Sequence, residues 1–283
     1  MSDAPSPAAR YVTAAFGVAS AVVGAGMFTA PRWASEKFAW NVSAFVAMTI
    51  GAWCLGNAWV VRVAIGNWRW ATSLGVLVYL WTFSVLEVVV LIWFRDRLRT
   101  DGFLAVAYLV MLGVGLLAAL RGASELATTR PFPPAEDGVA AGRAVRSAVV
   151  AFVCVVGFLG VFGLFATGFG ASQRVFPEPL SPFSLRAFAV FYLALAVGAL
   201  TLLRGPALEP ILVYGRAGLG LIVPITAAAI VYIGRFDFSA HPVQSAYIGA
   251  YVLVAVAVLA VLASAQGPRR GRECRGTLPD RGP

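Results

Sequence analysis

The chain is poor in the groups on which most enzymes depend. Among its 283 residues there is one histidine, His241, and one lysine, Lys37. A zinc site built on two histidines is therefore excluded, and a Ser-His relay would have to use a residue in the loop before the last apolar run. With Lys37 alone, and no Gly-Lys-Ser/Thr after a glycine-rich loop, a Walker-type phosphate site is excluded as well. Three cysteines, Cys54, Cys154 and Cys274, give neither a disulfide framework nor metal-ligand spacing, so no metal or cofactor is expected. No aspartate lies inside an apolar run. Asp96, Asp101 and Asp237 fall in or beside loops, which removes the pair that intramembrane aspartyl chemistry needs. Together these absences lean against an enzyme.

Charge of either sign is scarce. Twelve per cent of the residues are charged and sixty per cent hydrophobic, where a soluble domain carries about 25% charged residues. Because a helix needs about 20 apolar residues to cross the hydrocarbon of a bilayer, the informative quantity is the number of such runs. There are eight, from Tyr11 to Ala30, Asn41 to Arg62, Ala71 to Phe94, Gly102 to Leu120, Ser147 to Gly170, Leu185 to Leu203, Ile211 to Ile233 and Ala246 to Ser264. Their length, and the lack of strict apolar-polar alternation, predict helices rather than barrel strands. The fold expected is all-α: a polytopic membrane protein with eight transmembrane helices. The first run follows Arg10 but ends at Phe28, Thr29 and Ala30 without a small-x-small cleavage pattern, so it reads as a retained helix.

The net charge of +9 does not indicate nucleic acid, because the basic residues sit in loops and tail. They read as topology signals. With the N-terminus placed in the cytoplasm, the inner side holds fourteen of the 22 cations: Arg10, Arg62, Arg69, Arg121, Arg130, Arg143, Arg146, Arg204, Arg216, Arg269, Arg270, Arg272, Arg275 and Arg281. The outer side holds eight: Arg32, Lys37, Arg95, Arg97, Arg99, Arg174, Arg186 and Arg235. An even number of spans returns the C-terminus to the cytoplasm. All the tryptophans precede residue 94, and Trp33, Trp40, Trp59, Trp68, Trp70 and Trp93 fall near span ends, where an aromatic belt would place them. A single lysine beside 21 arginines, with abundant Ala, Val and Gly, matches the codon bias of a high-GC bacterial genome and points to a bacterial plasma membrane.

The longest polar stretch divides the chain into a first membrane repeat at residues 1–120, a cytoplasmic linker at 121–146, a second repeat at 147–264, and a basic, disordered tail at 265–283. The linker carries Pro131, Pro133, Pro134, Glu136 and Asp137. Gly26, Arg32 and Glu36 match Gly168, Arg174 and Glu178 at one offset; a one-residue shift then pairs Ala44-Phe45 with Ala187-Phe188. Trp93-Phe94-Arg95-Asp96 parallels Ile233-Gly234-Arg235-Phe236-Asp237. These matches predict two tandem four-helix repeats in the same orientation, related by an axis along the membrane normal.

The outer-loop-then-helix pattern runs from Phe38-Ala39-Trp40 to Gly51-Ala52-Trp53 in the first half. In the second it runs from Pro182-Phe183 to Arg186 and Tyr192-Leu193-Ala194. This pattern resembles uncharacterised integral membrane proteins of high-GC bacteria. The resemblance covers most of both halves and implies no activity.

Three residues form a candidate intramembrane polar site: Glu87, Asn57 and Arg216. Glu87 is the only acid well inside an apolar run, about seven residues from the outer end of its span and with Ser84 one turn back on the same face. It suits the titrating group of a small-solute or proton-coupled transporter; the structural alternative is a protonated or Arg-paired carboxyl locking two helices. Arg216 interrupts the seventh span, and measured from the span midpoints it lies toward the inside while Glu87 lies toward the outside. The simpler reading has Arg216 snorkelling to the cytoplasmic surface from a span that begins at Ala217. Asn57, with Thr49 two turns back, reads as an interhelical hydrogen bonder. Pro224 allows a kink of the seventh helix, and Gly157, Gly160 and Gly163 form a small-residue packing stripe on the fifth. The partners expected are the lipid bilayer and, at the five arginines of the tail, anionic lipid head groups. The first functional reading is a non-enzymatic accessory or structural component of the plasma membrane, and the alternative is the transporter.

Overall fold

The computed structural model describes residues 3–128, 139–166 and 177–273, without the side chains of residues 246 and 264–273. Among these residues the regular structure is helical, with no strand beyond one isolated bridge between Ala140 and Ala207. The helices are α1 (Pro7–Thr29), α2 (Pro31–Lys37), α3 (Ala44–Gly66), α4 (Trp70–Trp93), α5 (Phe103–Thr128), α6 (Arg143–Phe165), α7 (Pro182–Leu200), α8 (Glu209–Val231) and α9 (Val243–Glu273). All except α2 are long and apolar enough to cross a membrane, which makes eight. Part of the expected linker, residues 129–138, lies outside the described residues, as do Gly168 and Arg174 of the loop comparison and the tail from Cys274 onward.

Local chemistry sets the helix ends. Ser6, Ser43 and Ser181 are extended N-cap residues whose hydroxyls accept from the backbone N–H of Ala9, Val46 and Ser184 at 3.1–3.2 Å. Such caps satisfy donors that a helix start leaves unpaired. At the other end, α4 stops at Phe94 (φ −107°, ψ 25°) and α8 at Tyr232 (φ −103°, ψ 22°). Each is followed by a single 3-10 turn, Arg95–Arg97 or Ile233–Arg235, and then by an extended residue, Leu98 or Phe236. Pro224 lies inside α8, which continues to Val231 without a break.

The seven-residue α2 lies in what the sequence presents as a loop. Pro31 starts it, and Ala34 is buried where the turn packs on α3, with Phe38 and Ala39 buried just after it. Burial of these three apolar side chains, rather than helix propensity, holds a segment too short to be stable alone.

α1 packs on α3 and α5, and α4 on α5, so the first half is a closed four-helix bundle. In the second half α6 packs on α7, and α9 rests mainly on α8. The halves join where α3 meets α8 and α4 meets α7. Rings fill that seam: Trp40 stacks on Phe183 at 4.2 Å, Phe183 on Phe94 at 5.0 Å, and Trp53 on Phe191 at 4.6 Å with the planes 4° apart. Offset or edge-on pairs of this kind contribute about 0.5–1.5 kcal/mol each beyond area burial. Backbones also approach closely, since a Cβ on Gly198 would lie 2.7 Å from the carbonyl oxygen of Gly75.

Two tryptophans expected in the membrane belt are therefore core residues. Trp40 sits in the seam, its Nε1 donating to Ser184 Oγ at 3.2 Å, and Trp70 is buried beside Trp81. Trp33, Trp59 and Trp93 remain exposed at the bundle's apolar surface.

Candidate functional site

The only carboxyl in the described interior stands among the four helices of the first bundle. Phe16 of α1, Ser84 of α4 and Gly115 of α5 meet in one layer: a Cβ on Gly115 would lie 2.9 Å from the Phe16 ring and would strike Ser84 Oγ. One turn further along α1 comes Ser20, and one turn further along α4 comes Glu87, so both face the same interior. Both are 0% exposed. From α3, Cys54 faces α1 across Gly24, and from α5, Tyr108 is buried.

Several buried polar atoms have no hydrogen-bond partner: both carboxyl oxygens of Glu87, Ser20 Oγ and Asn57 Nδ2 in the first half, Trp53 Nε1 at the seam, and Thr226 Oγ1 in the second half. Ser84 does not serve Glu87, because its hydroxyl donates to the Leu80 carbonyl one turn back at 2.9 Å. Unpaired buried groups cost about 1–3 kcal/mol apiece. Such a concentration in one half of the molecule marks either a functional site or a deliberate weakness in the packing.

The structure separates the three sequence candidates. Asn57 is buried, and its Oδ1 accepts from Tyr79 Oη at 2.7 Å, which ties α3 to α4. Thr49 contributes nothing across helices, since its hydroxyl donates to Phe45 O of its own helix at 2.9 Å. Arg216 is exposed, well inside α8 rather than before it, and forms no ion pair among the described residues. Its carbonyl accepts from Trp59 Nε1 at 2.9 Å. Glu87 and Asn57 thus belong to the first bundle's interior and Arg216 to the outer surface.

Ser20, Trp53, Tyr79 and Tyr108 escaped the sequence reading. A hydroxyl or indole in an apolar run looks like ordinary membrane composition until the helix-to-helix register is known. The stripe of Gly157, Gly160 and Gly163 does pack: a Cβ on Gly160 would lie 2.8 Å from the Leu193 backbone nitrogen, and one on Gly163 2.8 Å from Ala189 Cβ.

Elsewhere, Tyr192 and Tyr251 join hydroxyls at 2.6 Å between α7 and α9, and Tyr214 donates to Leu195 O at 2.7 Å. A shallow groove of about 330 Å³ runs along α6, lined by Phe158, Val161, Phe162, Phe165 and Ala166, and shares no residue with the Glu87 region. Among the described residues no three His, Cys, Asp or Glu side chains converge. Among the described residues, no hydrogen bond joins Ser20 or Ser84 to Glu87. The arrangement provides one buried carboxyl in an interior that also holds groups able to hydrogen-bond a proton or a water.

No protein-family model, no curated protein and no solved structure matches the chain.

Proposed function

We propose that the chain is a non-enzymatic integral protein of the bacterial plasma membrane, serving as an accessory or structural component. It is built from two tandem four-helix repeats inserted in the same direction with both termini cytoplasmic. The repeat reading is supported by cap spacing. From N-cap Ser43 to C-cap Phe94, and from N-cap Ser181 to C-cap Tyr232, the distance along the chain is 51 residues, so one offset of 138 relates both ends. Under that offset the seam pairs become reciprocal. Phe45 meets Tyr232 at 5.6 Å where Phe183 meets Phe94 at 5.0 Å, and Trp53 stacks on Phe191, its own counterpart, as an axial pair should. Gly24 against Leu55 and Gly160 against Leu193 place a glycine of the first helix on the second in each half, with the first helices offset by 136 residues and the second by 138. The same direction of both halves is supported by contacts at each end: Ser43 with Glu178 at one, Trp59 with Arg216 at the other.

One observation carries the functional reading: the seam between the halves is filled by buried rings, and Glu87 lies inside the first bundle rather than in that seam. A carrier that alternates access between two repeats needs a cleft at their junction. The counterpart of Glu87 is Ile225, buried and apolar, so the carboxyl is not duplicated.

The carrier remains the second reading because both Glu87 oxygens are unpartnered. Protein reconstituted into vesicles with an internal pH-sensitive dye separates the two. The accessory reading expects no proton flux above empty vesicles under an imposed gradient. A flux abolished by Glu87→Gln would replace it with the carrier.

A further inference from the structure

The outward-facing side of the α3–α8 junction holds the Arg62 guanidinium, the Trp59 indole and the Arg216 backbone in a fixed arrangement, with the Arg216 side chain exposed beside them. Arg62 lies four residues before the end of α3, and Arg216 seven residues after the start of α8, both within apolar spans and both exposed. Between them is Trp59, 41% exposed. Its Nε1–H is held by the Arg216 carbonyl at 2.9 Å, and the Arg62 guanidinium sits over its ring at 4.9 Å. Gly220 makes room for it, since any Cβ there would collide with the indole. The platform is fixed by the backbone of one helix and the side chains of the other.

Neither guanidinium has a carboxylate partner among the described residues; the nearest acid along α8 is Glu209, two turns from Arg216, or about 10 Å at 1.5 Å per residue. Two uncompensated cations inside apolar spans are costly unless they reach an anion at the membrane surface. The arginine fork matches the oxygens of a phosphodiester. Deeper toward the bundle centre the same surface is apolar, with Leu55 half-buried and Val223 exposed.

We propose that Arg62, Trp59 and Arg216 form a binding site for one anionic phospholipid: both guanidiniums hold the phosphate, the Trp59 indole lies against the glycerol region, and an acyl chain runs over Leu55 and Val223. The offset of 138 replaces Trp59 by Val197, Arg62 by Leu200 and Arg216 by Val78, so the site occurs once, at one of the two otherwise reciprocal junctions.

The test uses full-length protein in a zwitterionic detergent, titrated with short-chain phosphatidylglycerol, phosphatidylcholine or inorganic phosphate while melting is followed and bound lipid is counted by native mass spectrometry. Phosphatidylglycerol is expected to raise the Tm and to bind one to one, with phosphatidylcholine and inorganic phosphate ineffective at the same concentration. Arg62→Gln and Arg216→Gln should each weaken binding roughly fivefold. The double variant should lose the bound lipid while eluting as wild type does, because both side chains are exposed. Arg10→Gln, exposed on α1 outside the platform, should change nothing. An unchanged lipid count in the double variant, or an equal effect of Arg10→Gln, overturns the site; an equal effect of inorganic phosphate overturns its assignment to a lipid.

Discussion

Glu87 is expensive wherever it stands in the first bundle, because neither of its oxygens meets a donor. Replacement by the isosteric amide, Glu87→Gln, is expected to change stability by less than about 1 kcal/mol, whereas Glu87→Lys should cost more than about 3 kcal/mol by fixing a cation where nothing pairs with it. Denaturation in detergent checks both. The Tyr79–Asn57 bond behaves in the opposite way, since it pairs the Tyr79 hydroxyl with Asn57 Oδ1, although Asn57 Nδ2 stays unpaired. Tyr79→Phe should cost about 1–3 kcal/mol by leaving the Asn57 amide with no partner, and adding Asn57→Leu should recover part of that loss. A double-mutant cycle measures the recovery; strictly additive losses would show that the bond contributes nothing. Glu87 is legible in the sequence as the one acid flanked by Leu86 and Val88-Val89-Val90. Its surroundings are not, because the interior it occupies is lined from other helices, as where Phe16 and Gly115 meet Ser84, and no spacing along the chain encodes the register between helices.

Among elements, the crossing of α1 and α3 is set by glycines that let backbones touch. A Cβ on Gly24 would lie 2.6 Å from the Leu55 backbone nitrogen, and one on Gly51 2.7 Å from that of Phe28. Gly24→Val should therefore destabilise by about 1–3 kcal/mol or more, as overpacking does, and Gly160→Val should do the same at α6 and α7. Gly26, with nothing within 4 Å of its Cβ position, is the control: Gly26→Ala should raise stability by up to about 1 kcal/mol through helix propensity. Equal effects at Gly24 and Gly26 would mean that α1 does not pack as described. All eight long helices are legible, because twenty apolar residues are a strong signal. The short α2 is not, since the burial of Ala34 and Phe38 that holds it depends on α3. Trp40 reads as a belt residue in the sequence because proximity to a span end says nothing about the face it occupies.

For the whole molecule, the proposed division into halves rests on helix number and linker composition, while the register between the halves cannot be read from the sequence. Short identities pair Phe45 with Phe188 and Arg95 with Arg235; cap geometry pairs Phe45 with Phe183 and Arg97 with Arg235. The proposed offset rests on serine caps and ring contacts, which tolerate changes of residue type that erase identities. The proposed inward N-terminus predicts that, in a background with Cys54, Cys154 and Cys274 changed to Ser, Thr100→Cys reacts with an impermeant thiol reagent in intact cells and Ser124→Cys only after permeabilisation. The reverse pattern would invert the topology. In the same background, Glu87→Cys tests whether the first bundle and the seam are closed to water. With the protein folded and inserted, complete protection from both aqueous sides is the expected result; labelling from either side would mean that water reaches this depth, and a water path beside an unpaired carboxyl belongs to a carrier, not to a sealed structural component.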